Sequence, residues 1–180
     1  MNYIKELLYR LRGEYTIEHL IKMGMKVGRN FNCMKGVILD PSHCWLIDIG
    51  DNVTIAPRVY VLCHDASIKN ELGYTKIGRV NIGNNVFIGA NSLIMPGVTI
   101  GNNVIIGANS TITHNIADNV VVAGSPSKVI STYQQYILKE KHRMKTSCCY
   151  GEEYTLRNNV SIERRMHQKQ QLGNKIGYIV

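Results

Sequence analysis

The side chains best suited to move a proton near neutral pH are His43 and His64, because imidazole titrates closest to neutrality. Asp40 lies three residues before His43 and could orient an imidazole or hydrogen-bond a substrate. Asp65 directly follows His64 and should point to the opposite side of a strand, which leaves Asp40 or a backbone carbonyl to hold the His64 ring. Either imidazole could be a general base at this point, and the plainer interpretation of His64 is a surface histidine on a mobile loop.

The elements that carry these residues follow a repeat of six. Isoleucine occupies positions 82, 88, 94, 100, 106 and 112. The same spacing joins two earlier sets, Ile21, Val27, Cys33 and Leu39, and then Ile49, Ile55 and Val61. Six is a multiple of the strand period of two and not of the helical period of 3.6, so the pattern predicts strands.

A three-sided prism accounts for this repeat. Short strands that turn by roughly 120° would close one coil in about 18 residues, and the repeated aliphatic residue would stack inside on that of the next coil. Glycine follows it at positions 28, 50, 83, 89, 101 and 107. Glycine and asparagine tolerate the left-handed backbone that corners need, so we place at the corners Asn52, Asn84, Asn85, Asn91, Asn102, Asn103 and Asn109.

Two interruptions of the repeat carry the candidate residues. The step from Leu39 to Ile49 is ten residues and contains His43. The step from Val61 to Ile82 is 21 residues, begins with His64 and reads as a polar loop that leaves the prism. His43 and His64 are 21 residues apart, close to one coil, so the two interruptions could meet in space.

Composition limits the classes of partner. The 180 residues carry a formal net charge of +8, of which +5 falls in residues 131–180, and no nucleic-acid-binding signature accompanies it. We therefore expect a solvated basic tail and no nucleic acid. Five cysteines without a CxxC pair predict neither a disulfide framework nor a zinc knuckle, and no apolar run reaches membrane-spanning length, so we expect a protein of the reducing cytoplasm.

Helices are predicted only near the two ends. Residues 2–12 place four apolar side chains on one helical face, which could pack on the protein itself, on a neighbouring subunit, or on a membrane surface as a peripheral association. Residues 131–143 should be helical, and residues 161–175 are expected to be a short polar helix or disordered. We divide the chain into a helical segment (1–19), a repeat domain (20–130) and a basic tail (131–180).

The hexads of residues 82–112 and the endings VNIGNNVFIGA and VVAGSPSKVI resemble the hexapeptide-repeat acyltransferases, over roughly residues 20–130. The resemblance implies a left-handed parallel β-helix that assembles as a homotrimer, with active sites between neighbouring prisms. It also implies O-acetyl transfer from acetyl-CoA to a hydroxyl of a sugar or polysaccharide precursor, without a metal. The family's catalytic histidine follows the IAPxV coil, and His64 is the matching residue.

The same resemblance implies further contacts. On the acceptor side, Asn30 or Asn32 could match an acceptor-binding asparagine of the family. The residue chemistry above adds His43 and Asp40 as possible acceptor contacts. Residues that match the family's CoA contacts are Ala90, Ala108, Thr113 and Lys128, although His114 and Ser131 replace basic residues that are common there. A backbone N–H near residues 87–90 is our expected donor to the tetrahedral oxyanion.

Three other functions stay open at this point. The enzyme could acetylate an amino sugar or act like the serine acetyltransferases, although Pro41-Ser42 interrupts the Asp-His pair of the latter. A metalloenzyme of the γ-carbonic anhydrase type needs three histidine ligands, two of them four residues apart, and His43, His64 and His114 lack that spacing. A non-catalytic prism is the remaining alternative.

Overall fold

The computed structural model describes residues 15–180, so the predicted helix over residues 2–12 lies outside the described part of the chain. The chain separates into two compact units, of which the first ends at Tyr133 and the second comprises Gln134–Val180. Between residues 15 and 180, no helix combines the length and the apolar character needed to cross a bilayer.

The first unit is a left-handed parallel β-helix whose short strands form three faces, as predicted. Face 1 contains, in spatial order, β1 (Lys26–Val27), β4 (Ile47–Ile49), β9 (Val80–Ile82) and β12 (Thr99–Ile100). Face 2 contains β2 (Asn32–Cys33), β5 (Thr54–Ile55), β10 (Val86–Ile88), β13 (Val104–Ile106), β15 (Val120–Ala123) and β16 (Lys128–Thr132). Face 3 contains β3 (Ile38–Leu39), β6 (Tyr60–Val61), β11 (Leu93–Ile94) and β14 (Thr111–Ile112).

Stacked aliphatic side chains fill the inside of the prism. Ile82 pairs with Ile100, Ile88 with Ile106 and Ile94 with Ile112, and all six are at most 3% exposed. Each such side chain gains about 1.5–3 kcal/mol from burial, which makes this column the main source of stability. The repeat begins later than predicted, because Ile21 belongs to helix α1 (Ile17–Lys22) and is 46% exposed.

The corner between faces 1 and 2 repeats without interruption, and we call it the asparagine corner (residues 28–31, 50–53, 83–85, 101–103 and 117–119). Five side-chain amides form a ladder along it, each Nδ2 donating to the next Oδ1 over 2.8–3.0 Å, in the order Asn30, Asn52, Asn85, Asn103, Asn119. All five have a positive φ between 53° and 61°, as expected for corner asparagines.

Two of the predicted corner asparagines, and the glycines that follow the repeated aliphatic residues, do not adopt the left-handed backbone that we expected of them. Asn84 and Asn102 do not have positive φ; instead, their side-chain oxygens accept the backbone N–H of Asp51 and Asn84 respectively, each at 2.8 Å. The glycines after the buried aliphatic residues are not left-handed either. A Cβ on Gly89 would lie 2.5 Å from the Ala108 nitrogen, so glycine is required there because neighbouring coils approach closely.

Both interruptions of the repeat fall at the corner between faces 3 and 1, which we call the histidine corner (residues 40–46, 62–79, 95–98 and 113–115). Leu39 pairs with Val61, 22 residues on, and Val61 pairs with Ile94, 33 residues on, whereas Ile94 and Ile112 are 18 apart. The first insertion therefore adds four residues, including a 3₁₀ helix at Cys44–Leu46, and the second adds 15. The elements of the second are β7 (His64–Asp65), α2 (Lys69–Leu72) and β8 (Lys76–Ile77), with β7 and β8 antiparallel.

The third corner, between faces 2 and 3, we call the alanine corner (residues 34–37, 56–59, 89–92, 107–110 and 124–127). After it the chain reverses, because β16 runs antiparallel to β15 with an irregularity between Val121 and Val122. This strand replaces the start of the helix predicted over 131–143, and α3 spans Tyr133–Met144.

The second unit holds two 3₁₀ helices, Glu152–Tyr154 and Leu156–Asn158, and helix α4 (Ile162–Leu172). Its short parallel strands are β17 (Cys149–Tyr150) and β18 (Tyr178–Ile179). The segment expected to be a polar helix or disordered is thus a helix, begun by the Ser161 side chain, which accepts the Arg164 N–H.

Candidate active site

The Asp40 carboxylate holds the His64 ring at the histidine corner. Asp40 Oδ2 lies 2.5 Å from His64 Nδ1, and the Asp40 side chain is fully buried whereas that of His64 is 36% exposed. The two residues sit in neighbouring coils at the same corner, since the Asp40 N–H donates to the Val61 carbonyl at 2.9 Å. Of the two groups that the sequence left to hold the ring, the structure shows the carboxylate and not a backbone carbonyl.

Two backbone groups fix the role of each atom in this contact. The Cys63 N–H donates to Asp40 Oδ2 at 2.7 Å, and the Ser42 N–H donates to Oδ1 at 3.1 Å. Because Asp40 accepts these bonds, the proton shared with His64 belongs on the imidazole Nδ1. Nε2, on the other side of the ring, then carries the lone pair that a general base needs.

His43 lies beside this pair, so the two interruptions do meet in space as predicted. Its ring centroid is 5.2 Å from that of His64 and 5.4 Å from that of Trp45. Its Nδ1 is 4.0 Å from Asp40 Oδ1, too far for a hydrogen bond, and has no hydrogen-bond partner among residues 15–180 although the nitrogen is buried. A buried imidazole nitrogen without a partner is suited to contact a substrate or a water molecule.

Asp65 is occupied elsewhere, as the alternation of strand residues predicts. Its carboxylate lies 2.5 Å from Lys76 Nζ and accepts the Ser67 N–H at 2.8 Å. The bond to Lys76, followed by that to Ser67, lowers the pKa of Asp65 to about 2. Asp65 thus stays ionised and pairs the two strands of the loop without contacting the His64 ring.

The thiols near His64 are poor nucleophiles. Cys63 and Cys44 are fully buried, and burial raises the pKa of Cys63 to about 12, assisted by the negative charge of Asp40. Burial also raises the pKa of Cys44. Both therefore stay protonated near neutral pH, which argues against a covalent thioester intermediate on either side chain.

Comparisons with known proteins agree with this architecture. Residues 79–114 match the family model described as bacterial transferase hexapeptide (six repeats). Protein CapG of Staphylococcus aureus is 41% identical over 145 residues, which cover 76% of this chain and 83% of CapG. The chain belongs to the hexapeptide-repeat transferase family.

Two solved structures of named acetyltransferases are also similar. A maltose O-acetyltransferase from Clostridium difficile 630 is 40% identical with a TM-score of 0.53, and the match covers 61% of this chain and 59% of that one. A galactoside acetyltransferase in complex with coenzyme A is 39% identical with a TM-score of 0.51, covering 61% and 56% respectively. This chain therefore spans less than two thirds of each of these two enzymes.

The residues matched to CoA contacts lie at two different corners of this hexapeptide-repeat transferase. Ala90 and Ala108 stack at the alanine corner, where the Asn109 N–H donates to the Ala90 carbonyl at 2.9 Å. Lys128 opens β16 directly after that corner and pairs with Ala123. Thr113 lies at the histidine corner instead and is exposed. A single chain thus separates these residues by the width of face 3.

Two other predicted contacts are also remote from His64 within one chain. Asn32 is exposed in β2 on face 2, and Asn30 uses its side-chain amide in the ladder of the asparagine corner. For the oxyanion donor expected at 87–90, the Gly89 N–H already donates to the Ile106 carbonyl at 2.8 Å. Any role for these residues at the His64 site would need a second copy of the chain.

The histidine corner also contains the one group of metal-ligating side chains found within residues 15–180 of this hexapeptide-repeat transferase. Potential ligand atoms of Asp40, His43 and His64 lie within 4.8 Å of one another. The group contains two histidines and a carboxylate, so the three-histidine set of the carbonic anhydrase alternative is not assembled there.

Trp45, for which residue types and spacing predicted no role, is 50% exposed next to His43. The available signal was that the chain's single tryptophan falls inside the first interruption of the repeat.

Proposed function

We propose that this protein is an O-acetyltransferase that moves an acetyl group from acetyl-CoA to a hydroxyl of a sugar or polysaccharide precursor, with His64 as general base. The observation that carries the proposal is the buried Asp40 carboxylate 2.5 Å from His64 Nδ1, on a hexapeptide-repeat scaffold. Two similar proteins are named as maltose and galactoside acetyltransferases, and one of them was solved with coenzyme A.

In the proposed reaction, the acceptor oxygen attacks the thioester carbonyl carbon while His64 Nε2 takes the hydroxyl proton. The tetrahedral intermediate collapses as its carbon–sulfur bond breaks, and the imidazolium returns the proton to the leaving CoA sulfur. The products are the acetyl ester and free CoA thiol. Asp40 keeps Nδ1 protonated through the cycle and stabilises the imidazolium that forms between the two steps.

We also propose that the active unit is a homotrimer. Ala90, Ala108 and Lys128 lie at or just after the alanine corner, whereas Thr113 and His64 lie at the histidine corner. A site that uses all of them is completed when the alanine corner of one copy meets the histidine corner of the next. In that arrangement, CoA lies between two prisms, and Lys128 offers its ammonium to a CoA phosphate.

Release of free CoA thiol from acetyl-CoA tests the proposal, measured across a panel of sugars, amino sugars and L-serine. Turnover with hydroxyl sugars supports O-acetylation of a carbohydrate. Preference for an amino sugar or for L-serine would instead favour one of the two enzyme alternatives. A protein that neither binds acetyl-CoA nor releases CoA with any acceptor would be the non-catalytic prism.

A further inference from the structure

The four-residue insertion before Ile47 places Trp45 beside His43, which in turn neighbours the proposed base His64. The 3₁₀ helix begins after His43, and the Leu46 N–H donates to the His43 carbonyl at 2.9 Å. Cys44 on one side of Trp45 is fully buried, with its Sγ 3.6 Å from the Leu20 carbonyl oxygen, and Leu46 on the other side packs against the core. Of these three helix residues, only Trp45 projects outward.

A glycine of the neighbouring segment, Gly24, lies close to the Trp45 backbone and Cβ. Gly24 has a φ of +110°, and a Cβ placed there would lie 3.0 Å from the Trp45 Cβ. The two chain segments thus approach closely at the Trp45 Cα and Cβ, where a side chain at position 24 would crowd the base of the tryptophan. An anchored tryptophan that is still 50% exposed lacks the burial that its large apolar surface usually obtains.

The His43 ring neighbours both the His64 ring and the Trp45 ring, and we call these three neighbours the ring row (His64, His43 and Trp45). Successive centroids are 5.2 Å and 5.4 Å apart, and successive planes are inclined at 39° and 49°. The apolar indole and the proposed general base are therefore both neighbours of the same imidazole. Between them, the buried His43 Nδ1 has no hydrogen-bond partner among residues 15–180.

From this row we infer that Trp45 is a specificity-determining residue that stacks on the ring of a pyranose acceptor. A pyranose has a face of C–H groups and a rim of hydroxyls, and its C–H face matches the negative face of an indole. A ring on Trp45 directs rim hydroxyls toward His43 and His64. The inference rests on the proposed acetyltransferase function and narrows its acceptor to a cyclic sugar over an acyclic alcohol such as serine.

Because Trp45 is the only tryptophan, its fluorescence reports on this subsite without any turnover. With excitation selective for tryptophan, titration with methyl β-D-galactopyranoside and with maltose should change the emission to saturation for at least one of them. Sorbitol and L-serine, which lack a pyranose ring, should leave the emission unchanged. Emission that is unresponsive to both pyranosides, as expected if a neighbouring copy covers the indole, would overturn the inference.

Kinetics with the responsive pyranoside provide the second test. Trp45→Ala should lower kcat/KM for the acceptor by about tenfold or more through KM, with KM for acetyl-CoA unchanged, and Trp45→Phe should recover part of the loss. Tyr136→Ala removes an exposed aromatic ring of the second unit and serves as the matched control. An unchanged acceptor KM in Trp45→Ala would refute the subsite even if the wild type is active.

The two proposals fail in different ways. A saturable change in emission on adding a pyranoside, without any CoA release, would support the pyranose subsite and refute the acetyltransferase function. CoA release with pyranosides, together with unresponsive fluorescence and an unchanged acceptor KM in Trp45→Ala, would support the acetyltransferase function and refute the pyranose subsite.

Discussion

The asparagine corner and the histidine corner belong to the same prism, but they differ in the spacing of their residues and in their hydrogen bonding. Across the asparagine corner, the buried aliphatic residues are always six apart, as from Ile49 to Ile55 and from Ile82 to Ile88. Across the histidine corner, the first two steps are ten and 21 residues, from Leu39 to Ile49 and from Val61 to Ile82.

Hydrogen bonding differs in the same way. At the asparagine corner, the ladder amides from Asn30 to Asn103 each donate a hydrogen bond to the asparagine of the next coil. At the histidine corner, a buried carboxylate holds one imidazole, and a second imidazole keeps a buried nitrogen without a partner among residues 15–180. The regular coils supply stability, whereas the two insertions at the histidine corner supply the side chains proposed to take part in the reaction. Changes at the two corners should therefore separate stability from activity.

The largest effect is expected from His64→Ala. Loss of the general base should lower kcat by about 10²–10⁴-fold, because water must then take the hydroxyl proton. The thermal unfolding midpoint should stay close to that of the wild type, since the side chain is partly exposed and belongs to the inserted loop. The measurements are CoA release at saturating substrates and thermal unfolding. An unchanged kcat would remove His64 as the base.

Asp40→Asn should lower kcat by about a hundredfold, at the lower end of what a general base contributes, because an amide can no longer keep the proton on His64 Nδ1. Nitrogen NMR of the imidazole checks this directly, since the favoured tautomer should move from Nδ1–H to Nε2–H. Asp65→Asn is the matched control, because that carboxylate pairs with Lys76 and does not touch the ring. Equal losses in the two variants would contradict the positioning role of Asp40.

At the asparagine corner, Asn85→Ala should reduce the free energy of unfolding by about 1–2 kcal/mol without changing kcat. It removes, at φ 57°, the short polar side chain that lets asparagine tolerate the left-handed region, and it breaks the ladder on both sides. Asn85→Gly tolerates the backbone and loses only the ladder, so it should be less destabilising. Denaturant unfolding measures both variants. A loss of kcat with unchanged stability would erase the distinction between the corners.

The smallest effect is expected near the alanine corner. Lys128→Ala should raise KM for acetyl-CoA several-fold and leave the acceptor KM unchanged, because an exposed ion pair with a phosphate contributes only modestly. Lys139→Ala, which removes an equal charge from the second unit, is the control. A rise confined to the acceptor KM would place Lys128 on the acceptor side.

The sequence predicts the regular part of the molecule closely, because six-residue spacing is a direct consequence of strand geometry. All six isoleucines from Ile82 to Ile112 that keep this spacing are buried. The later start of the prism could not be read in this way. Ile21 keeps the spacing of six while the capping side chain of Thr16 begins a helix there.

The proximity of the candidate residues could be predicted, whereas their contacts could not. Residue types and the interruptions of the repeat were enough to group Asp40, His43 and His64 as candidates, and the choice of His64 as the base came from the resemblance. Which group holds His64 depends on how a four-residue and a 15-residue insertion fold against each other, and no period encodes that geometry. Two further placements were equally hidden: Asn32 lies far from His64 within one chain, and Thr113 lies at a different corner from Ala90 and Ala108. Assignment by resemblance does not tell which corner of which copy a residue occupies.

The backward course of Lys128–Thr132 limits how the protein can associate. Stacked parallel coils leave an open edge that could template further strands from another molecule, as happens in fibrils. The reversed strand beside Val120–Ala123 runs in the wrong direction to pair with an incoming parallel coil. Addition of a further parallel strand to face 2 is therefore disfavoured at that edge.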